Sequence, residues 1–143
     1  MNIAIVGATG NVGRKTLEVL EKKEISIENL YLVASPKSAG KKIKFQGKEI
    51  EVYNLENFDF SKVKIAFFAA GGKISEKFAE KAAKYCLVID NSSFFRMDPN
   101  VPLVVPQVNS DDLNNIKKNI IANPNCSTAQ LVIALKPLHD LFV

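Results

Sequence analysis

Cysteine, histidine and arginine are all scarce in this chain, and each scarcity closes off a class of function. The two cysteines, Cys86 and Cys126, and the single histidine, His139, have no metal-ligand spacing, so the residues supply no metal site. Cysteine use this sparse argues for a reducing compartment, the cytoplasm by default. Arg14 and Arg96 are the only arginines and the net charge is a mild +4. There is thus no arginine-rich stripe and no motif that reads nucleic acid, so no nucleic-acid partner is expected. No apolar run approaches the length of a membrane span, and the N-terminus enters an apolar strand without the layout of a signal peptide. Repeats and low-complexity segments are missing too. What remains, 143 residues at 47% hydrophobic and 24% charged, is the composition of one folded domain with a real core.

The pattern along that domain is an alternation of strand and helix. Apolar runs predict strands over 2–6, 30–34, 64–70, 87–90 and 120–122. A hairpin is expected from 43–45 and 49–53, hinged at Gln46-Gly47-Lys48. Helical spacing predicts helices over 12–23, with Val12, Leu17, Val19 and Leu20 on or near the inner side, over 75–85, and over 127–141. The last carries Leu131, Val132, Leu135, Leu138 and Leu141. Prolines make 99–106 extended. Repeated βα units with apolar strands predict an α/β fold of the Rossmann-like kind: a doubly wound, mostly parallel sheet with helices on both faces. Ligands of such sheets gather at the carboxyl ends of the strands, where the loops 7–13, 35–41, 70–73, 91–96 and 123–126 all fall.

The first of these loops has the form G-x-x-G-x-x-G, with Gly7, Gly10 and Gly13 framing Thr9, Asn11 and Val12. It follows a strand and opens a helix, the setting in which glycines let a backbone approach a pyrophosphate resting on a helix N-terminus. At the end of the second strand a site for NAD would carry an acid to hold the ribose 2′-hydroxyl. Here stand Ser35, Lys37 and Ser38, which suit a 2′-phosphate, so NADP is expected rather than NAD. Lys37, Lys41, Lys42 and Lys44 form either a solvated cluster or a seat for an anion. Arg96, after the polar run 91–93, either clamps a phosphate or carboxylate or pairs with Asp98.

The last loop, Asn123-Pro124-Asn125, sets Cys126 at the mouth of the final helix. There a sulfur faces unpaired N–H groups and the positive end of the helix dipole, surroundings that favour the nucleophilic thiolate. Cys86, at the head of an apolar strand, reads as a buried structural thiol. His139 lies thirteen residues beyond Cys126 in the same helix. At ~1.5 Å per residue that is roughly 20 Å, too far to serve as its base. It reads as a helix C-terminal or packing residue.

Taken in order, Gly7–Gly13, Ala34–Lys41, Ala70-Gly71-Gly72, Asp90–Ser93 with Arg96-Met97, Val105–Asn109 and Asn123–Thr128 resemble the N-terminal part of the aspartate-semialdehyde dehydrogenases, over essentially the whole chain. Asn125 before Cys126 separates it from the sister N-acetyl-glutamyl-phosphate reductases, which usually carry glycine there. The resemblance implies NADPH-dependent reductive dephosphorylation of L-aspartyl-4-phosphate to the semialdehyde, on the way to lysine, methionine and threonine. It makes Cys126 the acyl-accepting nucleophile, and Gly71 and Gly72 part of the cofactor site. Arg96 becomes the phosphate-binding arginine, and Asn91 and Asn125 polar groups beside the substrate.

Three positions depart from the family pattern: Lys37 where many relatives carry arginine, Gln107 where glutamate is commoner, and Ala69 where serine is commoner. The resemblance also implies that residues 1–143 are an NADP-binding domain ending in the helix after the cysteine. The substrate and dimerisation domain, with a glutamine, a second arginine and a catalytic histidine, would follow Leu141-Phe142-Val143; Gln130 is not that glutamine. The chain alone is then expected to turn over little or nothing, the complete enzyme to be a homodimer, and the apolar end to promote aggregation. The other readings are a stand-alone NADP-binding module without catalysis and an N-acetyl-glutamyl-phosphate reductase.

Overall fold

The computed structural model describes residues 1–23 and 25–142; Val143, the last residue of the apolar end, lies outside them. Strand β1 (Ile3–Val6) is buried along its whole length, as an unbroken apolar run must be when both faces of a sheet are covered. Around it stand β2 (Leu30–Ala34), β3 (Lys42–Phe45), β4 (Lys48–Asn54), β5 (Ile65–Phe68), β6 (Leu87–Asp90) and β7 (Ile120–Ala122). The seven strands form one sheet in the order β3-β4-β2-β1-β5-β6-β7. Every pairing is parallel except β3 with β4. The sheet is therefore mostly parallel and doubly wound, reversing direction at β1, where sequence order steps to β2 on one side and β5 on the other.

Alternation along the strands sends successive side chains to opposite faces. Ile5, Leu32, Ala34 and Val52 pack under α1 (Asn11–Lys22) with Leu17 and Leu20. Ala4, Val6, Val33, Phe68 and Val88 pack on the other face with Phe78, Ala79 and Ala82 of α2 (Gly72–Ala83). Helices thus cover both faces. Leu17 and Leu20 are buried as expected, and Gly13 joins them; Val12 and Val19, also expected on or near the inner side, are 46% and 45% exposed. Both sheet edges are protected. Lys42 and Lys44 stand exposed on β3, where charge discourages pairing with another chain. Beside β7, the Val104 N–H donates to the Ala122 carbonyl (3.0 Å) and the Ala122 N–H to the Pro102 carbonyl (2.9 Å).

A further expectation is corrected here. Pro106 does not exclude helix: it stands in the first turn of α3 (Pro106–Asn109), where its missing N–H costs nothing. The final helix, α4 (Cys126–Phe142), forms as expected and runs through Pro137, but it buries none of its residues. Leu131, Leu135, Leu138 and Leu141 are between 48% and 76% exposed. Some of them, with Val108 of α3, line an open trough of about 580 Å³. No helix of the described residues is long and apolar enough to cross a membrane.

Candidate active site

The turn between β1 and α1 is built by two glycines. Gly7 has φ of +89°, and a Cβ there would meet the Ala69 carbonyl carbon and oxygen at 2.8 Å. Its N–H donates to the Val33 carbonyl (2.8 Å), and the Gly10 N–H donates back to the Gly7 carbonyl (2.9 Å). Gly10 then caps α1 without a side-chain hydrogen bond, and no acid stands in the first turn. The leading N–H groups of Asn11, Val12 and Gly13 therefore have no side-chain acceptor among the described residues, which suits them to phosphate oxygens. Gly71, with φ of +87°, caps α2 equally without a side chain.

In front of this turn lies a groove of about 360 Å³ whose walls include Gly7, Thr9, Gly10 and Ser35. Thr9 Oγ1 donates to Ser38 Oγ at 3.5 Å, joining the glycine turn to the 3-10 turn Pro36–Ser38. Lys37 is exposed on that turn and makes no ion pair among the described residues. Leu55 and Ile74 complete the apolar walls, and the sequence reading missed both. Leu55 follows β4, which pairs with β2 in the main sheet; knowing only the β3–β4 hairpin gave no reason to bring it to the glycine turn.

A second groove, of about 370 Å³, lies on the α1 face between Val12, Phe67, Ile89, Asn91 and Asn123. Ala69 lines both grooves, so they meet at the end of β5. Lys37, Ser38, Asn11, Gly13, Gly71 and Gly72 line neither groove. Gly72 approaches the other side of the site, with its would-be Cβ 4.0 Å from Phe94 Cβ and Ser93 Oγ.

At the rim of the second groove the ends of β6 and β7 are tied together. Asn123 Nδ2 donates to Asn91 Oδ1 (2.6 Å). Arg96 donates from Nε to the Asn123 carbonyl (3.0 Å) and from Nη2 to the Asn91 carbonyl (3.3 Å). It does not pair with Asp98. That carboxylate accepts from the Asn100 N–H and from Lys118, which hold its pKa below the usual value. Arg96 thus fixes the two loops with part of its guanidinium and keeps Nη1 free of protein partners among the described residues.

Cys126 is the first residue of α4 and is exposed. Asn125 is the cap: its Oδ1 accepts from the Ser127 N–H (3.0 Å), from Ser127 Oγ (2.8 Å) and from Cys126 Sγ (3.5 Å). His139 is exposed and far along the same helix. Cys86 is buried and donates to the Ala82 carbonyl (3.4 Å), and burial pushes its pKa up to about 11. About a thousandth of it is thiolate at pH 8. Titration of the native chain with a disulfide reagent at pH 8 should therefore count one fast thiol, lost in Cys126→Ala. The second should appear on unfolding or as pH rises towards 11. Two fast native thiols would contradict this placement.

Residues 2–116 match the model of the semialdehyde dehydrogenase NAD-binding domain. Among curated relatives, aspartate-semialdehyde dehydrogenase 2 of Vibrio cholerae is 52% identical over 97% of this chain and 42% of its own length. The crystal structure of the Vibrio cholerae aspartate semialdehyde dehydrogenase II complexed with ASA superposes with a TM-score of 0.94 at 52% identity, over 97% of this chain and 46% of that one. The Candida albicans aspartate semialdehyde dehydrogenase with NADP superposes with a TM-score of 0.74 at 28% identity, over 99% of this chain and 48% of that one. The chain spans less than half the length of the relatives it matches.

Proposed function

The chain belongs to the semialdehyde dehydrogenase family, and from that premise we propose that it is the NADP-binding, nucleophile-bearing part of an aspartate-semialdehyde dehydrogenase. One observation carries the reading: two glycine-capped helix N-termini, two grooves joined at Ala69, and the Asn91–Asn123–Arg96 rim leading to Cys126 all meet at the carboxyl ends of the strands. A relative that holds NADP supports the cofactor class.

Gly7, Gly10 and the open N–H groups of α1 fit a pyrophosphate, because backbone donors are presented there with no side chain competing for them. Ser35, Lys37 and Ser38 offer hydroxyls and a cation to a 2′-phosphate. Lysine at 37 keeps the charge but not the planar fork of an arginine, so its grip is less directional. Bound NADP(H) supplies or accepts the hydride at the substrate carbonyl carbon. The chain's own part is nucleophilic. Cys126 Sγ, as thiolate, attacks the carbonyl carbon of aspartyl phosphate; the C–O bond to phosphate breaks, inorganic phosphate leaves with the electron pair, and a thioester remains on Cys126. Arg96 Nη1 is the donor available to that phosphate. The reduced adduct on Cys126, as its oxyanion, then collapses: the C=O bond re-forms, the C–S bond breaks, and Cys126 leaves with the electron pair as thiolate.

The uncovered leucines of α4 support the further reading that a substrate and dimerisation domain packs there in the whole enzyme; a homodimer of the cytoplasm is part of the same proposal. Fluorescence titration of the chain with NADPH and NADH tests the cofactor assignment. NADPH should bind at least about tenfold tighter, a difference of ~1.4 kcal/mol, and Lys37→Glu should erase the preference while leaving NADH unchanged. Equal affinities would overturn the choice of NADP, and no binding of either would overturn the reading.

A further inference from the structure

Asp90, at the end of β6, is fully buried and has no cationic partner among the described residues. A carboxylate in such a place is costly unless hydrogen bonds compensate it. It accepts three. Oδ1 takes Ser75 Oγ (2.6 Å) and the Ser92 N–H (3.1 Å), and Oδ2 takes Ser92 Oγ (2.6 Å). Ser75 is itself fully buried in α2, one turn past the Gly71 cap. Ser92 is also buried, and its Oγ accepts the Phe94 N–H (3.1 Å). Two consecutive local turns, the first closed on the Asp90 carboxylate and the second on Ser92 Oγ, therefore fold the backbone from Asp90 through Phe94. Arg96 follows directly, and its guanidinium reaches back to the Asn91 carbonyl inside the same loop.

We infer that Asp90 is a positioning residue: through Ser92 it sets the loop that aims Arg96, and through Ser75 it locks that loop to the helix opened by Gly71. The inference rests on the reading of Arg96 as an anion-binding group. Asp90 touches no ligand itself. Its value to the site is directional, because the carboxylate accepts at every position. An amide would place a donor against Ser92 Oγ and strand the serine proton.

The test uses the 143-residue chain, with inorganic phosphate as the probe. Protection of Cys126 from iodoacetamide by phosphate reports the Arg96 site, NADPH fluorescence reports the first groove, and thermal unfolding reports stability. In Asp90→Asn the half-protecting phosphate concentration should rise by about tenfold or more. NADPH affinity should stay within about twofold, since Gly7, Gly10 and Ser35 share no hydrogen bond with Asp90, Ser75 or Ser92. Ser92→Ala should reproduce the loss and Ser92→Thr, which keeps the hydroxyl, should restore protection. If Asp90→Asn does not fold, the Ser92 pair decides. Unchanged phosphate protection in folded Asp90→Asn or Ser92→Ala would overturn the inference, as would equal weakening of phosphate and NADPH, the mark of a merely structural role. A wild-type chain that binds NADPH but gains no protection from phosphate also overturns it, leaving the cofactor reading intact. A wild-type chain that binds no NADPH counts against the proposed function alone.

Discussion

Gly13→Ala should lower the melting temperature of the chain by about 10 °C and weaken NADPH by tenfold or more. A Cβ at Gly13 would lie 2.2 Å from the Gly7 carbonyl oxygen and 2.8 Å from Ala8 Cα. Both are backbone atoms, so no rotamer change relieves the clash. The first turn of α1 must move off the β1 turn, at a cost of about 3 kcal/mol for overpacking a rigid site. The same movement withdraws the N–H groups proposed to hold the pyrophosphate. Gly10 is the internal control. Its φ is −79°, and its would-be Cβ lies 3.3 Å from the Gly7 oxygen, tight but short of a collision. Gly10→Ala should therefore cost less than about 1 kcal/mol in stability, although the methyl enters the groove. Melting curves with cofactor titrations check both. A Gly13→Ala chain with wild-type melting and binding would refute the close-packing role.

The second large effect belongs to Cys126. Because the side chain is exposed at the helix mouth and fills no core space, Cys126→Ala should leave melting and NADPH binding unchanged. It should nonetheless lower turnover of an enzyme that carries this chain by on the order of 10⁴-fold or more, as removal of a covalent nucleophile does. Cys126→Ser should be almost as poor, since an alcohol is a weak nucleophile without an adjacent base, and the described residues place no imidazole beside it. The remaining thiol, Cys86, cannot substitute, being buried and held protonated well above neutral pH.

Much of this was legible in the residues because the signals were local. The glycine turn, the apolar strand runs and the helix after Asn123-Pro124-Asn125 each depend on a few neighbours, and each stands where expected. What the sequence hid was long-range. Val12 and Val19 fit a helical stripe, yet α1 rests on its Gly13–Leu17–Leu20 line because the missing Cβ lets it approach β1. The leucines of α4 announce a helix but not what covers it, and among the described residues nothing buries them. Leu55 and Ile74 reach the first groove only because β4 joins β2 and α2 follows β5. Arg96 offered a choice between Asp98 and an anion. The structure rejects Asp98, which Lys118 occupies, and shows a third arrangement, two main-chain carbonyls. Asp90 stood in the motif Asp90–Ser93 without a role: a buried acid is recognised by its partners, and Ser75 lies on another element.

The most direct measurement joins this chain to the remainder of a relative. In aspartate-semialdehyde dehydrogenase 2 of Vibrio cholerae, the matching segment, 42% of that enzyme, would be replaced by residues 1–143. Reduction of NADP by aspartate semialdehyde and phosphate would then be followed. The account predicts phosphate-dependent turnover that Cys126→Ala abolishes while NADPH still binds. A folded, NADPH-binding chimera without activity, or one whose activity survives Cys126→Ala within about tenfold, would contradict it.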